Sequence, residues 1–273
     1  MLPALLVYCC VVVLPALYTA FLSLFKWNGL GEKKFVLFRN YVNLFTTDAV
    51  FKTALKNNII WIILTLLFTM TIALLLAMLL NRKFKGRVVY RAIFYFPYML
   101  SWIVIGIIWK WIYNPNIGFL DSLLNLLGIQ TSGAGWLSDP KIALYSVFAA
   151  ALWQGVGQPM LYFLAGLQGI PQELYEAAAV DGAGKVATFF NVTIPQLKET
   201  FVIVLATLVI ASLKVYDVVY VMTNGGPVNS TQTLASYMYA QTFSYSNLGT
   251  GSAIVVVMMV MMMVIIIPYV LYT

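Results

Sequence analysis

The sequence of 273 residues contains no histidine, and charged residues make up only 9% of it. The absence of histidine removes the side chain that most often acts as a general base or metal ligand near neutral pH. The two cysteines, Cys9 and Cys10, are neighbours in an apolar run, so they predict no disulfide framework. No cluster of cysteines or carboxylates suggests a metal, and no serine or cysteine nucleophile has a candidate base nearby. These absences argue against a membrane enzyme and predict neither a catalytic nor a metal site.

Hydrophobic residues are correspondingly abundant, at 62% of the chain, and the mean hydropathy is +0.89. A soluble domain of this size would carry about 25% charged residues. Apolar helices of about 20 residues cross the hydrocarbon core of a bilayer, which is about 30 Å thick. The sequence therefore predicts an all-α integral membrane protein with one transmembrane domain over 1–273. The six predicted spans cover roughly 2–25, 57–80, 91–113, 141–168, 200–222 and 250–272.

Basic residues beside these spans predict the orientation of the chain. The short loop between the second and third spans packs five of them into 82–91, which favours a cytoplasmic position. The first loop, 26–56, also holds six basic residues, so the density and shortness of the second loop decide the assignment. Both chain ends and the segment 171–197 are then cytoplasmic. We attribute the net charge of +7 to topology and to contact with membrane lipid, and we expect no nucleic-acid partner.

The opening residues, 1–18, form an apolar run punctuated by proline. They lack the basic start of a secretory signal peptide, so we interpret them as part of the first span. Any cytoplasmic leader before that span is expected to be short or absent from this sequence.

The segment 171–197, between the fourth and fifth spans, is rich in small and polar residues. Pro171 suits the first turn of a helix, where its missing N–H costs nothing, and acidic residues follow in the early turns. Asp181-Gly182 predicts the end of that helix, because glycine readily adopts the left-handed conformation of a C-terminal cap. A second amphipathic piece then runs to Pro195. The segment is predicted to form a helical hairpin at the membrane surface, with an ordinary loop between spans as the alternative.

This segment resembles the EAA signature of the permease subunits of binding-protein-dependent ABC importers. The residues at the spacing of that signature are Glu176, Ala177, Ala178, Gly182 and the run 192–195, which ends at Pro195. Asp181 and Ala183 add the Asp-Gly-Ala form common among sugar permeases, so the chain is most similar to the oligosaccharide subfamily and its maltose-type permeases. The resemblance covers essentially the whole chain, including Asn40-Tyr41, Leu44-Phe45, Arg91, Phe94, Pro97, Trp136-Leu137, Asp139-Pro140 and 222–234.

The resemblance implies a role for the segment and a set of partners. Glu176 would contact a cytoplasmic ATPase, Gly182 would form the turn, and the alanines would provide a close docking face. A second permease subunit would share the pathway, most simply as a heterodimer. Two ATPase subunits would hold ATP and Mg, and an extracellular binding protein would deliver the solute. The complex would lie in a bacterial or archaeal cell membrane.

The chain itself is not expected to bind a cofactor. Gly184-Lys185 superficially resembles a phosphate-binding loop. It lacks the earlier glycine and the following serine or threonine, and no predicted strand precedes it. ATP would therefore be bound by the partner subunits alone.

Polar and aromatic side chains in the fourth span predict where a solute would pass. Those that share a helical face or its flank are Trp153, Gln154, Gly155, Gln158 and Tyr162. Such residues are costly in lipid unless they face a cavity or a partner. Aromatic faces can stack on sugar rings while amides bond hydroxyl groups. The stretch also resembles the part of a maltose-type permease that lines its sugar site, although hydrogen bonding between helices is an alternative interpretation.

The fifth span carries a second polar group, which consists of Ser212, Lys214, Tyr216 and Asp217. Lys214 and Asp217 are three residues apart, so they could pair on one helical face. Such a pair would either neutralise two costly charges or contact solute and gate the cavity. Asn57 and Asn58 are interpreted as capping or bridging neighbouring helices.

The leading hypothesis is therefore a permease subunit for a sugar or oligosaccharide. An ABC permease for a non-sugar solute, such as glycerol phosphate, a polyamine or an amino acid, remains the nearest alternative. A strongly charged solute would require more charge within the spans than Lys214 and Asp217 provide. An ion-coupled secondary transporter is a further alternative, but its two halves would often resemble each other, and this sequence shows no internal repeat.

Overall fold

The structure, a computed structural model, describes residues 2–129 and 135–272, with side chains described up to 268. The chain is mostly helical, which confirms the predicted all-α class. The helices are α1 Leu2–Leu22, α2 Arg39–Thr46, α3 Ala49–Asn81, α4 Arg87–Met99, α5 Trp102–Ile112, α6 Phe119–Leu126, α7 Ala143–Gly155, α8 Gly157–Gly169, α9 Gln172–Val180, α10 Lys185–Gln196, α11 Lys198–Leu213, α12 Asp217–Thr223, α13 Leu234–Tyr239 and α14 Leu248–Tyr272. Two short strands, β1 Phe25–Lys26 and β2 Lys34–Phe35, pair antiparallel between α1 and α2.

Helix length and apolarity identify candidate membrane spans in the described residues. Three helices, α1, α3 and the part of α14 up to Pro268, are long and apolar enough to cross a bilayer. Two bent pairs, α4 with α5 and α10 with α11, raise the number to five if each pair is one span. The predicted fourth span coincides with α7 and α8, which meet at Val156. The count of six spans thus stays a prediction.

Three predicted spans differ from the helices that the structure shows. The second was expected near residue 57, but α3 begins at Ala49, where the Asp48 side chain caps it by accepting a hydrogen bond of 2.9 Å from the Phe51 N–H. The third is not one straight helix, since α4 and α5 meet at an angle of 98°. Pro97 lies in the last turn of α4, and the Ser101 side chain caps the start of α5.

The predicted fifth span is also interrupted. Helix α11 ends at Leu213, and α12 begins at Asp217 after a short non-helical connection. Lys214 caps α11 at its C-terminal end, with φ −92° and ψ 4°. The predicted fifth span, 200–222, therefore contains a helix break at the position of its polar residues, and its role as one span stays a prediction.

The second half of α3 packs along α8 in the largest core cluster. Its buried side chains include Ala73, Ala77 and Leu80 from α3, and Met160 and Phe163 from α8. A Cβ placed on Gly155, just before α8, would lie 3.9 Å from the methyl group of Thr69, in α3. The second half of α3 and helix α8 therefore begin side by side and run in the same direction. Their C-terminal ends, which lead into the basic loop and into the segment 171–197, lie at the same end of the bundle.

Asn57 and Asn58 are buried in α3 and join it to distant parts of the chain, as predicted. The Asn57 amide donates to the Ser230 and Gln232 carbonyls, both at 2.8 Å. The Asn58 amide donates to the Ser212 carbonyl at 2.9 Å, and its oxygen accepts from the N–H of Leu234 at 2.7 Å. Both side chains therefore bridge neighbouring helices and their connections.

Candidate functional site: a helical hairpin and a polar cavity

The segment 171–197 folds as two helices joined by a tight turn. Pro171 precedes α9 in an extended conformation, and Gly182 follows it with φ +75°. The N–H of Gly182 donates to Ala179 O at 3.1 Å, and the N–H of Ala183 donates to Ala178 O at 2.9 Å. This double hydrogen bond is the Schellman arrangement that ends many helices. The predicted turn is thus present at Asp181-Gly182.

The outer surface of this hairpin is open. No residue of α9 is buried; Glu176 and Ala177 are exposed, and Ala178 is half-buried. Apolar side chains are exposed as well, with Val180 at 87% and Val186 at 71%. We call α9, α10 and their turn the hairpin surface. It presents three exposed acidic side chains, Glu173, Glu176 and Asp181, together with a small-residue face and uncovered apolar groups, at the end of the bundle that also holds the basic loop.

The hairpin is tied to itself and to the bundle below it. The hydroxyl groups of Tyr175 and Thr193 lie 3.3 Å apart, which links α9 to α10. Pro195 is exposed in the last turn of α10, and the buried Leu197 follows at the 69° bend into α11. Leu197 belongs to the core cluster of α3 and α8. The hairpin is therefore joined through Leu197 to the core cluster of α3 and α8.

A second feature is a cavity of about 100 Å³ lined by α3, α7, α8, α11 and the bend between α4 and α5. Four of the predicted pathway residues line it, namely Gln154, Gly155, Gln158 and Ser212. The remaining lining residues are Trp61, Thr65, Thr69, Tyr98, Trp102, Phe148, Ala151, Leu152, Pro159, Thr207, Leu208, Ala211 and Val215. None of these side chains is charged. The wall combines amides, hydroxyl groups and aromatic rings.

The two glutamines make different contacts. Gln154 is 3% exposed, and its amide nitrogen lies 3.4 Å from both the Tyr98 and Leu100 carbonyls at the bend after α4. Its amide oxygen is buried and has no hydrogen-bond partner in the described part of the chain. Gln158 is half-buried and donates to the Tyr162 hydroxyl group at 2.9 Å. Gln154 therefore helps hold the bent pair of helices, while Gln158 and Tyr162 act as a hydrogen-bonded unit.

The other predicted pathway residues do not line this cavity. Trp153 is 43% exposed and packs edge-to-face on Trp109, with the ring centroids 6.0 Å apart. Lys214 and Asp217 are both exposed, and they form no ion pair in the part of the chain that the structure describes. The predicted sharing of one helical face by these two residues is wrong, because the break between α11 and α12 separates them.

Tyr216 belongs to a separate aromatic group. Its ring lies 5.3 Å from that of Tyr220 and 5.0 Å from that of Tyr239, and Tyr239 contacts Phe243 at 4.8 Å. Tyr216 directly precedes α12, and Tyr220 lies on it; Tyr239 is the last residue of α13. Phe243 lies on the π-helical turn Ala240–Ser244 that follows α13. The group is partly exposed. It places Tyr216 against Tyr220 of α12 and Tyr239 of α13 and outside the lining of the cavity.

Sequence reasoning missed the contribution of α3 to the cavity. Trp61, Thr65 and Thr69 recur at intervals of four residues and are all buried. That spacing places them on one helical face, so a polar stripe in an otherwise apolar helix was an available signal. Tyr98 and Trp102 carried no such signal, because their approach to the cavity depends on the bend between α4 and α5.

The fold and these two features define a helical membrane protein with an uncharged polar cavity and an open hairpin at one end. Residues 69–272 match the family described as the binding-protein-dependent transport system inner membrane component, and the chain belongs to that family. It is thus the membrane component of a transport system, as the EAA resemblance implied.

Relatives and a solved structure agree with this assignment. The chain is 38% identical to the probable ABC transporter permease protein YurN of Bacillus subtilis, over 91% of this chain and 86% of YurN. It is 34% identical to the trehalose/maltose transport system permease protein MalF of Thermococcus litoralis, over 93% of this chain and 85% of MalF. A bacterial ABC transporter involved in alginate import has the same fold. One of its chains matches with a TM-score of 0.83 at 22% identity, covering 98% of this chain and 91% of that one.

Proposed function

We propose that this chain forms, with a second permease subunit, the pathway of an ATP-driven importer for a sugar or oligosaccharide. The observation that carries the proposal is the uncharged cavity, where Gln154, Gln158 and Ser212 lie among aromatic rings. Amides and hydroxyl groups suit sugar hydroxyls, and aromatic faces suit the C–H surfaces of sugar rings. The relative from T. litoralis is named for trehalose and maltose, which supports the same substrate class.

The size of the cavity indicates how the pathway works. Ligand pockets usually have volumes of about 300–1,000 Å³, whereas this one has about 100 Å³. We infer that the cavity must widen before a sugar can enter. The bend between α4 and α5, which is held by Gln154, and the break between α11 and α12 are the places where the wall can rearrange. An extracellular binding protein delivers the solute to the opened pathway.

The hairpin surface is the docking site for the ATPase subunits that drive transport. Two cytoplasmic ATPase subunits bind ATP and Mg, and one of them docks on α9 and the following turn. Glu176 offers a polar contact, Ala177 and Ala178 allow close approach, and the exposed Val180 and Val186 would be covered on docking. Leu197 then carries the movement of the hairpin into the helices around the cavity.

The coupling role is tested in transporter reconstituted with its partner permease, ATPase and binding protein. Gly182→Asp places a side chain where φ is +75°, and Glu176→Lys replaces one acidic side chain of the docking face with a basic one. We expect both variants to insert normally but to lose solute-stimulated ATP hydrolysis. Gly128→Asp is the matched control, since Gly128 also has φ +75° and open surroundings but lies outside the hairpin. Full coupling in both variants would refute the docking assignment.

The substrate class is tested with the same reconstituted system and a panel of solutes. We expect saccharides to stimulate ATP hydrolysis, and glycerol phosphate, polyamines and amino acids to leave it at the basal rate. A flat response to all saccharides would overturn the carbohydrate assignment. Uptake that persists without ATP and collapses with an ion gradient would instead favour a secondary transporter.

A further inference from the structure

A second, larger cavity lies outside the pathway, between the β1–β2 hairpin, α2 and the start of α14. It has a volume of about 730 Å³ and a predominantly polar wall. We call it the basic basin, and its charged lining residues are Lys26, Lys34, Arg39 and Glu32. Asn28, Asn43, Asn247 and Thr250 contribute further polar side chains. Three cations thus face one carboxylate.

The β hairpin brings two of these cations together. Lys26 and Lys34 are direct partners in the antiparallel pairing of β1 and β2. Side chains at such positions have Cβ atoms about 4.5–5.5 Å apart, and like charges there are destabilising. Neither lysine, nor Arg39, forms an ion pair in the described residues. An anion bound in the basin would reduce the repulsion between the Lys26 and Lys34 ammonium groups.

Neighbouring polar groups are already engaged elsewhere. Lys33 does not line the basin; its ammonium group lies 4.5 Å from the centre of the Trp27 ring and donates to the Tyr18 hydroxyl group at 3.0 Å. The amide nitrogen of Asn40 donates to the Ser23 and Phe25 carbonyls, which fixes the hairpin on α2. The basin is therefore held in shape by groups other than its three cations.

The position of the basin points to the source of the anion. It lies where α1 has just ended and α14 begins, at one end of two helices long enough to cross a bilayer. Helix α2, beside it, exposes Val42 at 55% and Phe45 at 49%, and Phe38, at the N-terminal cap of α2, is 65% exposed. The spacing of these three residues places them on one helical face. An exposed apolar stripe next to a cationic basin is the arrangement of a helix lying in the membrane–water interface.

We propose that the basic basin binds the phosphate group of an anionic phospholipid. Lys26, Lys34 and Arg39 supply the positive charge, Asn43 and Thr250 supply hydrogen bonds, and the stripe of α2 contacts the acyl region. Bound lipid would relieve the repulsion between the two lysines and hold the hairpin, α2 and the start of α14 as one unit.

The test measures lipid retained by the intact transporter complex. Complexes are exchanged into nanodiscs of phosphatidylcholine with or without phosphatidylglycerol, and bound lipid is quantified by native mass spectrometry. Each basic residue near a membrane contributes about 1 kcal/mol to the binding of anionic lipid. The double variant Lys26→Gln/Lys34→Gln should therefore bind phosphatidylglycerol about thirtyfold more weakly than the wild type. Lys33→Gln is the matched control and should retain wild-type binding.

Three results would overturn the proposal. Equal retention of phosphatidylglycerol and phosphatidylcholine would show that charge plays no part. Equal loss in the Lys33→Gln variant would show that the basin is not the site. Displacement of the lipid by millimolar inorganic phosphate would assign the basin to the free anion. A fourth measurement concerns the binding protein: if the double variant loses affinity for it while its lipid retention is unchanged, the basin is a protein-docking surface instead.

Discussion

A substitution at Asn58 tests what stabilises the C-terminal end of α11, where the predicted fifth span is broken. This side chain is fully buried and satisfies the ends of two helices at once. The Asn58 amide nitrogen donates a hydrogen bond to the Ser212 carbonyl. That carbonyl lies in the last turn of α11, where carbonyls lack intrahelical partners. The Asn58 amide oxygen accepts a hydrogen bond from the Leu234 N–H, which lies in the first turn of α13. Asn58→Leu would leave both groups buried without a partner.

The expected loss follows from those two groups. An unsatisfied buried donor or acceptor costs about 1–3 kcal/mol, so the variant should lose about 2–6 kcal/mol of stability. For a domain of 150–250 residues, 1 kcal/mol shifts the melting temperature by about 2–4 °C. Thermal unfolding of the purified protein, followed by tryptophan fluorescence, should therefore show a fall of at least about 4 °C.

Two neighbouring positions provide the comparison. Asn57→Leu leaves two carbonyls unpaired but no N–H, and buried carbonyls without partners are better tolerated than N–H groups. Its melting temperature should fall less than that of Asn58→Leu. Ile59→Leu changes an exposed side chain on the next position of the same helix and should have no measurable effect. A melting temperature of Asn58→Leu equal to that of the wild type would refute the assigned double cap.

Two further predictions concern the cavity and the packing around it. Gln158→Leu should raise the KM for solute uptake about tenfold, the equivalent of one hydrogen bond of about 1.4 kcal/mol, whereas Gln168→Leu, at an exposed position of the same helix, should leave KM unchanged. An unchanged KM in Gln158→Leu would remove this residue from the pathway. Gly106→Ala would bring a Cβ to 2.7 Å from the Val221 side chain, so it should destabilise the packing of α5 on α12 by about 1–3 kcal/mol. A melting temperature equal to that of the wild type would contradict the contact.

Local sequence rules located the hairpin well because its turn depends on few residues. Asp181-Gly182 ends α9 through backbone hydrogen bonds within the segment, and the left-handed conformation at Gly182 is one that glycine adopts easily. The polar face of the predicted fourth span could also be recognised from the sequence. Gln154, Gly155 and Gln158 stand at helical spacing in an apolar stretch, and all three line the cavity.

The bend between α4 and α5 and the break between α11 and α12 could not be predicted from local sequence. Pro97 and Ser101 were visible, but neither fixes a 98° angle between α4 and α5. That angle depends on what packs against the helices, including Gln154, whose amide nitrogen lies near the Tyr98 and Leu100 carbonyls from another part of the chain. The end of α11 likewise depends on Asn58, which is distant in sequence.

The sequence alone therefore determined the membrane class, the helical hairpin and one face of the polar cavity. These properties follow from apolar runs, helix caps and helical periodicity, which act over a few residues. Only the tertiary structure decided that α3 supplies Trp61, Thr65 and Thr69 to the cavity and that a helix break stands between Lys214 and Asp217. Those features arise from contacts between residues far apart in the chain, and local propensity carries no information about such contacts.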